Sequence, residues 1–230
     1  IALLASTQVG ALKPTSFSVL DATALGALTA TQLKGVTTAQ LSGISATALG
    51  NLKDTEIALL ASTQVGALKP TSFSALDATA LGALTATQLS GLTTAELSGL
   101  TATALGNLKD TEIALLASTQ IGALSATNFS ALDATAIGAL TATQLKGVTT
   151  AQLSGITATA LSNLSSTQIG QLSNAQIGAL NTTNLGNLAT TQVSGLSATQ
   201  VASLSTANLG ALSAGSLGSL NATQVAGFTT

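Results

Sequence analysis

The charged residues are the first candidates for chemistry, because the chain contains no His, Cys, Tyr, Met or Trp. Catalysis would have to rest on Asp, Glu, Lys, Ser or Thr. The densest charged group is formed by Lys53, Asp54 and Glu56, and it recurs as Lys109–Glu112. One interpretation is a weak contact with a cation or a carbohydrate. The other is a solvated helix start whose acids lie favourably against the helix dipole.

Other chemical motifs are weak, and we predict no catalytic, cofactor-binding or metal-binding residues and no enzyme activity. Calcium prefers six to eight oxygens with converging carboxylates, whereas the eight acids are spread along the chain. No Gly-rich loop followed by Lys is present that could hold a phosphate. Three triplets match the N-glycosylation pattern, and chance matches are expected in a chain rich in Ser and Thr: 128–130, 181–183 and 221–223.

Composition restricts the partners. Charged residues make up 6% of the 230 residues, with six Lys and no Arg, so binding to nucleic acid is not expected. Residues 147–230 carry no charge, and such a surface associates readily, so we predict self-association.

No apolar run is long enough to span a bilayer, and no small-molecule substrate is evident. The absence of Cys fits an extracellular chain, and the start at Ile1 suggests a segment of a longer protein.

One eight-residue unit, the octad, repeats about 28 times from end to end. With its places numbered 1 to 8, the consensus is Ser/Thr, Ala, Thr, Gln, Leu/Ile/Val, Gly, Ala, Leu, as in Thr29–Val36. Large apolar residues occupy places 5 and 8. Charges occur only at places 1, 2, 4 and 6, which predicts that the other places are buried or tightly packed.

A longer repeat of seven octads lies on top of the octad. Residues 1–56 recur as 57–112 and, more loosely, as 113–168, and the pattern decays over 169–230. One explanation is recent tandem duplication, which the decay favours. The other is that seven octads form one superhelical turn. In either case we predict one continuous repeat solenoid over residues 1–230.

Three signals indicate that a helix begins in each octad. Asp21, Asp77 and Asp133 lie at the cap position, and Pro14 and Pro70 lie one residue later, where a missing N–H is harmless. Ser or Thr at place 1 with Gln or Glu at place 4 forms a capping-box pattern, as in the pairs Thr29 and Gln32, Thr93 and Glu96, and Ser197 and Gln200. Gly at place 6 or 7 predicts an early helix end.

Helices this short are not stable alone, so neighbouring units must stack on one another. We therefore predict an all-α solenoid of very short capped helices, one per octad. Burial of the place-3 Thr methyl and the place-7 Ala is expected to contribute, and Phe17, Phe73 and Phe129 are expected in the core. The Gln residues at place 4, from Gln32 to Gln224, could form a polar ladder, although capping alone explains them.

The alternative fold is a β-solenoid. It is favoured by the content of Thr, Val, Ile and Gly and by Thr-Ala-Thr triplets at 29–31, 101–103, 141–143 and 157–159. The spacing of the apolar places is not the alternation of a strand, which favours helices. A flat Thr row would fit an ice-binding or other flat-surface-binding module, and a groove for a peptide or polysaccharide is a further hypothesis.

Units such as 164–169 (LSSTQI) and 172–177 (LSNAQI) resemble the octapeptide arrays of very large bacterial surface proteins, often labelled haem-utilisation or adhesion proteins. Those arrays often carry Pro-Glu before the Gln, where this chain has Ala-Thr. Haem binding is not carried over, because the chain has no His, Cys, Met or Tyr as an axial ligand. The resemblance implies an extracellular or cell-surface stalk, spacer or self-associating filament.

Overall fold

The computed structural model describes residues 1–229, which divide into two compact units: unit 1, Ile1–Leu124, and unit 2, from Ser125 onward. Over these residues the chain is all-helical and contains no β-strand, so the all-α prediction is confirmed and the β-solenoid alternative is not supported. Continuity of one solenoid over 1–230 stays a prediction, and each unit is described separately.

The helices of both units are four to six residues long, and one begins in each octad. Those of unit 1 are α1 (Ser6–Gly10), α2 (Pro14–Phe17), α3 (Ala22–Leu25), α4 (Ala30–Gly35), α5 (Thr38–Gly43), α6 (Ala46–Leu49), α7 (Asp54–Ile57), α8 (Ser62–Val65), α9 (Pro70–Phe73), α10 (Ala78–Leu81), α11 (Ala86–Gly91), α12 (Thr94–Ser98), α13 (Ala102–Asn107), α14 (Asp110–Ile113) and α15 (Ser118–Ala123).

Unit 2 repeats the same pattern and ends in a short 3₁₀ turn, Gly227–Thr229. Its α-helices are α16 (Ala126–Ala131), α17 (Ala134–Gly138), α18 (Ala142–Gly147), α19 (Thr150–Ser154), α20 (Ala158–Ser162), α21 (Ser166–Gln171), α22 (Asn174–Gly178), α23 (Thr182–Gly186), α24 (Thr190–Ser194), α25 (Ala198–Ala202), α26 (Thr206–Ala211), α27 (Ala214–Gly218) and α28 (Ala222–Ala226).

Each helix begins at place 2, as the capping signals predict. The Thr29 hydroxyl accepts a hydrogen bond from the backbone N–H of Gln32, and the Gln32 side-chain oxygen accepts one from the N–H of Thr29. Asp77 caps its helix by accepting from the N–H of Ala80 at 2.9 Å. Pro70 occupies the first helical position of α9, where no amide hydrogen is needed.

The helices end for a reason other than the one predicted. None of the glycines in residues 1–229 has a positive φ, so they are not the left-handed helix stops expected from the sequence. Instead the backbone becomes extended at place 8, as at Val36, whose N–H donates to the carbonyl of Leu33. The place-8 side chain then enters the core.

The core consists of the place-5 and place-8 side chains together with alanines at place 4 such as Ala48, and it includes Phe17, Phe73 and Phe129, as predicted. The expected burial of places 3 and 7 is wrong at Thr31 and Ala27, which are exposed. Place 4 is buried instead in most octads, although many octads carry a polar or charged side chain there. This place proves to be the most informative one in the octad.

Successive turns of the solenoid are separated by about 28 residues within unit 1. Helix α8 packs on α11 and α9 packs on α12, and side chains link residues 25, 27, 28 and 31 positions apart. A turn of 28 residues equals 3.5 octads, since 28 divided by 8 is 3.5. The 56-residue block therefore spans two turns, and the hypothesis of seven octads per turn is wrong.

Glycine is needed where the backbones of successive turns meet. A Cβ atom on Gly91 would lie 2.4 Å from the carbonyl oxygen of Ser62, and one on Gly66 would lie 2.3 Å from that of Gly91. Unit 2 contains the same contact, because a Cβ on Gly195 would lie 2.3 Å from the Ser166 oxygen. By contrast, a Cβ on Gly106 would meet no atom within 4 Å. Some glycines are therefore close-packing points, as predicted, and others are not.

Candidate functional site

The most elaborate polar arrangement in each unit is the buried side chain at place 4, which joins two turns of the chain. In Gln88 the side-chain oxygen accepts hydrogen bonds from the N–H and the hydroxyl of Thr85, which caps helix α11. The side-chain nitrogen donates to the carbonyls of Ile57 and Leu60, at 2.8 and 2.9 Å. One amide group therefore caps its own helix and binds the preceding turn.

This arrangement, the inter-turn bridge, recurs in both units at octads that carry Gln at place 4. In each case the amide nitrogen donates to the place-5 and place-8 carbonyls 31 and 28 residues earlier. The place-5 carbonyl also accepts from the N–H three residues after it, as Ile57 does from Leu60. The distances lie between 2.6 and 3.1 Å. The other bridging residues of this kind are Gln32, Gln40, Gln64, Gln120, Gln168, Gln176, Gln192, Gln200 and Gln224.

Shorter side chains at place 4 donate to one carbonyl of the preceding turn instead of two. Asn184 donates to the Ile156 carbonyl at 2.6 Å, and Ser72 donates to the Ile44 carbonyl at 2.9 Å. Both acceptors are place-8 carbonyls 28 residues earlier. Side-chain length at place 4 therefore decides how many carbonyls of the preceding turn receive a hydrogen bond from this side chain.

Lysine supplies a different link to the preceding turn in two octads that carry Glu at place 4. Glu56 is buried, and its carboxylate accepts from the N–H of Lys53 at 2.7 Å. A carboxylate cannot donate to the preceding turn, but the Lys53 ammonium lies 3.7 Å from it and donates to the Gly26 carbonyl at 2.8 Å. Lys109 and Glu112 repeat this arrangement on Gly82.

The charged cluster singled out in the sequence is therefore not a solvated helix start. Lys53 is exposed, but the carboxylates of Glu56 and Glu112 are buried and belong to the contact between turns. Asp54 and Asp110, which lie in the first helical turn as expected, are only partly exposed. The cluster brings one carboxylate and one ammonium together and assembles no convergent set of acids.

Glu96 is the one place-4 acid without a lysine at place 1. Its carboxylate accepts from the N–H and the hydroxyl of Thr93, so the predicted capping box is present. Burial raises the pKa of the Glu96 carboxyl above its usual range, and the hydrogen bonds from Thr93 oppose that shift.

The remaining candidate motifs do not converge on a site. Asn128 is buried, whereas Asn181 and Asn221 are exposed cap residues that accept from the N–H groups of Asn184 and Gln224. The Thr-Ala-Thr triplet at 29–31 is exposed, but the Thr29 hydroxyl is engaged in its capping box. Within residues 1–229 no three His, Cys, Asp or Glu residues gather as metal ligands, and no helix is both long and apolar enough to cross a membrane.

The sequence predicted that the place-4 side chain caps its own helix, but it did not predict that the same side chain donates hydrogen bonds to the preceding turn. The available signal was a polar residue at place 4 beside an invariably apolar place 5, together with Lys at place 1 in Lys53–Glu56 and Lys109–Glu112. No protein-family model matches the chain, and a search of curated proteins finds no match. The bridges connect parts of the chain with one another.

Proposed function

We propose that the chain is a structural repeat segment, an extracellular stalk or spacer or the body of a self-associating filament in a bacterial surface adhesin-like protein. The observation that carries this proposal is the inter-turn bridge. Polar side chains of a kind that takes part in binding or catalysis in other proteins here form hydrogen bonds between successive turns. A chain built in this way acts through its length and surface.

A row of exposed leucines supports the self-association part of the proposal. Leu3, Leu59 and Leu115 are all exposed and are separated by 56 residues, which is two turns, so they recur on one side of unit 1. Exposed large apolar side chains are uncommon in this unit, where Val19 is the other example among the described residues. Apolar side chains repeated along one side, on a surface with few charges, favour contact with another copy.

Light scattering over a range of concentrations tests this proposal on the intact chain. We expect assemblies that grow with concentration, and we expect the double variant Leu59→Lys/Leu115→Lys to shift the chain toward monomer. Val19→Lys is the matched control, because Val19 is equally apolar and lies outside the leucine row. A wild-type chain that stays monomeric at high concentration would contradict self-association and leave the spacer role.

The cell-surface location is proposed on the resemblance to octapeptide arrays and on the lack of Cys. An antibody raised against the array should bind intact cells of the source organism, and protease added outside those cells should remove the signal. Signal that appears only after lysis would contradict this location. Ice binding stays a prediction, which thermal hysteresis of the purified chain would test.

A further inference from the structure

Glu96 caps its own helix, as the glutamines at place 4 do, but its side chain makes no hydrogen bond to the preceding turn. One carboxylate oxygen accepts from the Thr93 N–H at 2.7 Å and from the Thr93 hydroxyl at 2.8 Å. The other oxygen, Oε1, is buried and has no hydrogen-bond partner, and the residue is only 1% exposed. It is the sole buried side-chain oxygen or nitrogen in this condition within residues 1–229.

The repeat register identifies what faces that oxygen. Gln88, one octad earlier, donates to the carbonyls of residues 57 and 60, and Gln120 donates to those of 89 and 92. The same offsets of 31 and 28 residues lead from Glu96 to Val65 and Leu68. An ionised Glu96 therefore presents an acceptor where the octads with Gln at place 4 present two N–H donors, and acceptor facing acceptor is unfavourable in a buried place.

No neighbouring cation compensates for this charge. Where Glu occupies place 4 in Glu56 and Glu112, a lysine at place 1 lies beside it, but place 1 before Glu96 is Thr93. Helix α12 packs against α9 and α15, and neither contains an ionisable side chain. The nearest charged residue on those elements is Lys69, the cap of α9, which is exposed and forms no ion pair with Glu96 in the described chain.

We propose that Glu96 forms an inter-turn bridge only when its carboxyl group is protonated. In its neutral form the carboxyl O–H donates to a carbonyl of the preceding turn, as the glutamine amide does in other octads, and in its ionised form the bridge is open. Unit 1 then tightens around α9 and α12 in acid and loosens at neutral pH. This property is independent of what the array is attached to or associates with.

The direction of the pH dependence follows from burial. Burial raises the pKa of Glu96 in the folded chain above its ordinary value of 4.5, against the opposing hydrogen bonds from Thr93. For a raised folded pKa, the stabilising contribution is fully present below the ordinary value and is lost as the pH rises through the folded value. The closed bridge is therefore the acidic state.

Hydrogen exchange of the intact chain, followed by mass spectrometry over residues 93–98, tests the proposal. Protection factors corrected for intrinsic exchange are compared between wild type and Glu96→Gln at each pH, so that other titrating groups cancel. At pH 8 we expect Glu96→Gln to be protected roughly tenfold more strongly than wild type, because its amide restores the missing donors. The ratio should fall toward one below pH 4.5.

Glu112→Gln at pH 8 is the matched control, because it adds the same amide but removes the ion pair with Lys109, so protection over residues 109–114 should rise less than protection over residues 93–98 does in Glu96→Gln. A Glu96→Gln ratio that is constant with pH would overturn the proposal. So would a rise of wild-type protection at pH 8 on adding Na⁺ or K⁺ but not tetramethylammonium, because a bound metal cation would then fill the gap.

Discussion

The side-chain nitrogen of Gln88 lies 2.9 Å from the carbonyl oxygen of Leu60, which precedes it by 28 residues. This distance corresponds to one turn of the solenoid, so a single amide group links a helix cap to the turn before it. The relationship explains why place 4 of the octad is both polar and buried. It also makes the contribution of this place measurable.

Replacing Gln88 with Leu should loosen the solenoid strongly. The change keeps the approximate volume but leaves the buried carbonyl of Leu60 and the Thr85 N–H without their partners and removes one of the two donors to the Ile57 carbonyl, at a cost of about 3 kcal/mol. Gln8→Leu is the control, because Gln8 is exposed and only caps Ala5, so its loss should cost about 1 kcal/mol. Native-state hydrogen exchange in α11 and α1 measures both, and equal effects would contradict the bridge.

Replacing Gly91 with Ala should destabilise unit 1, while the same change at Gly106 should stabilise it. The new Cβ on residue 91 would collide with the Ser62 carbonyl, for a cost of about 1–3 kcal/mol. At residue 106, inside α13, the space is open and helix propensity favours Ala by roughly 0.5–1 kcal/mol. Thermal unfolding midpoints should move in opposite directions, and movement in the same direction would argue against close backbone contact.

Replacing Lys53 with Met should weaken the contact of α7 with the preceding turn. The variant removes the donor to the Gly26 carbonyl and the charge beside Glu56. Because Lys53 is largely exposed, solvent screening limits the expected loss to about 1 kcal/mol, and the electrostatic part should shrink near 1 M salt. Lys34→Met, at an exposed lysine outside any ion pair, should leave the thermal midpoint nearly unchanged. A salt-independent loss would indicate packing alone.

Replacing Phe73 with Ala should be the most disruptive of these changes. Phe73 is fully buried in unit 1, and removing its ring costs about 3–5 kcal/mol through lost burial and the cavity left behind. Phe228 lies at place 8, in the other apolar series of the octad, and is exposed, so Phe228→Ala should cost less than about 1 kcal/mol. Urea unfolding followed by circular dichroism compares the two, and similar losses would place Phe73 outside the core.

The sequence predicted the parts of this fold that are decided within one octad. The Thr29 cap, the Pro70 helix start and the core position of Phe73 each follow from local chemistry. The number of octads in a turn is decided by packing between distant residues, so the partners of Gln88 could not be read from its own octad. The burial of Glu56 was missed for the same reason, because the position of its acid in the first helical turn indicated a solvated helix start when its own octad was considered alone.

The stacking of turns is tested most directly by the separation of spin labels, because the chain has no Cys and two introduced cysteines can be labelled selectively. Ala75 and Ser98 are exposed and flank the contact in which the Ser74 hydroxyl donates to the Gly99 carbonyl. Thr87 is closer to Ala75 in sequence but lies within the same turn, at another side. We predict stronger dipolar broadening for labels at 75 and 98 than at 75 and 87. The reverse order would contradict a solenoid with 28 residues in each turn.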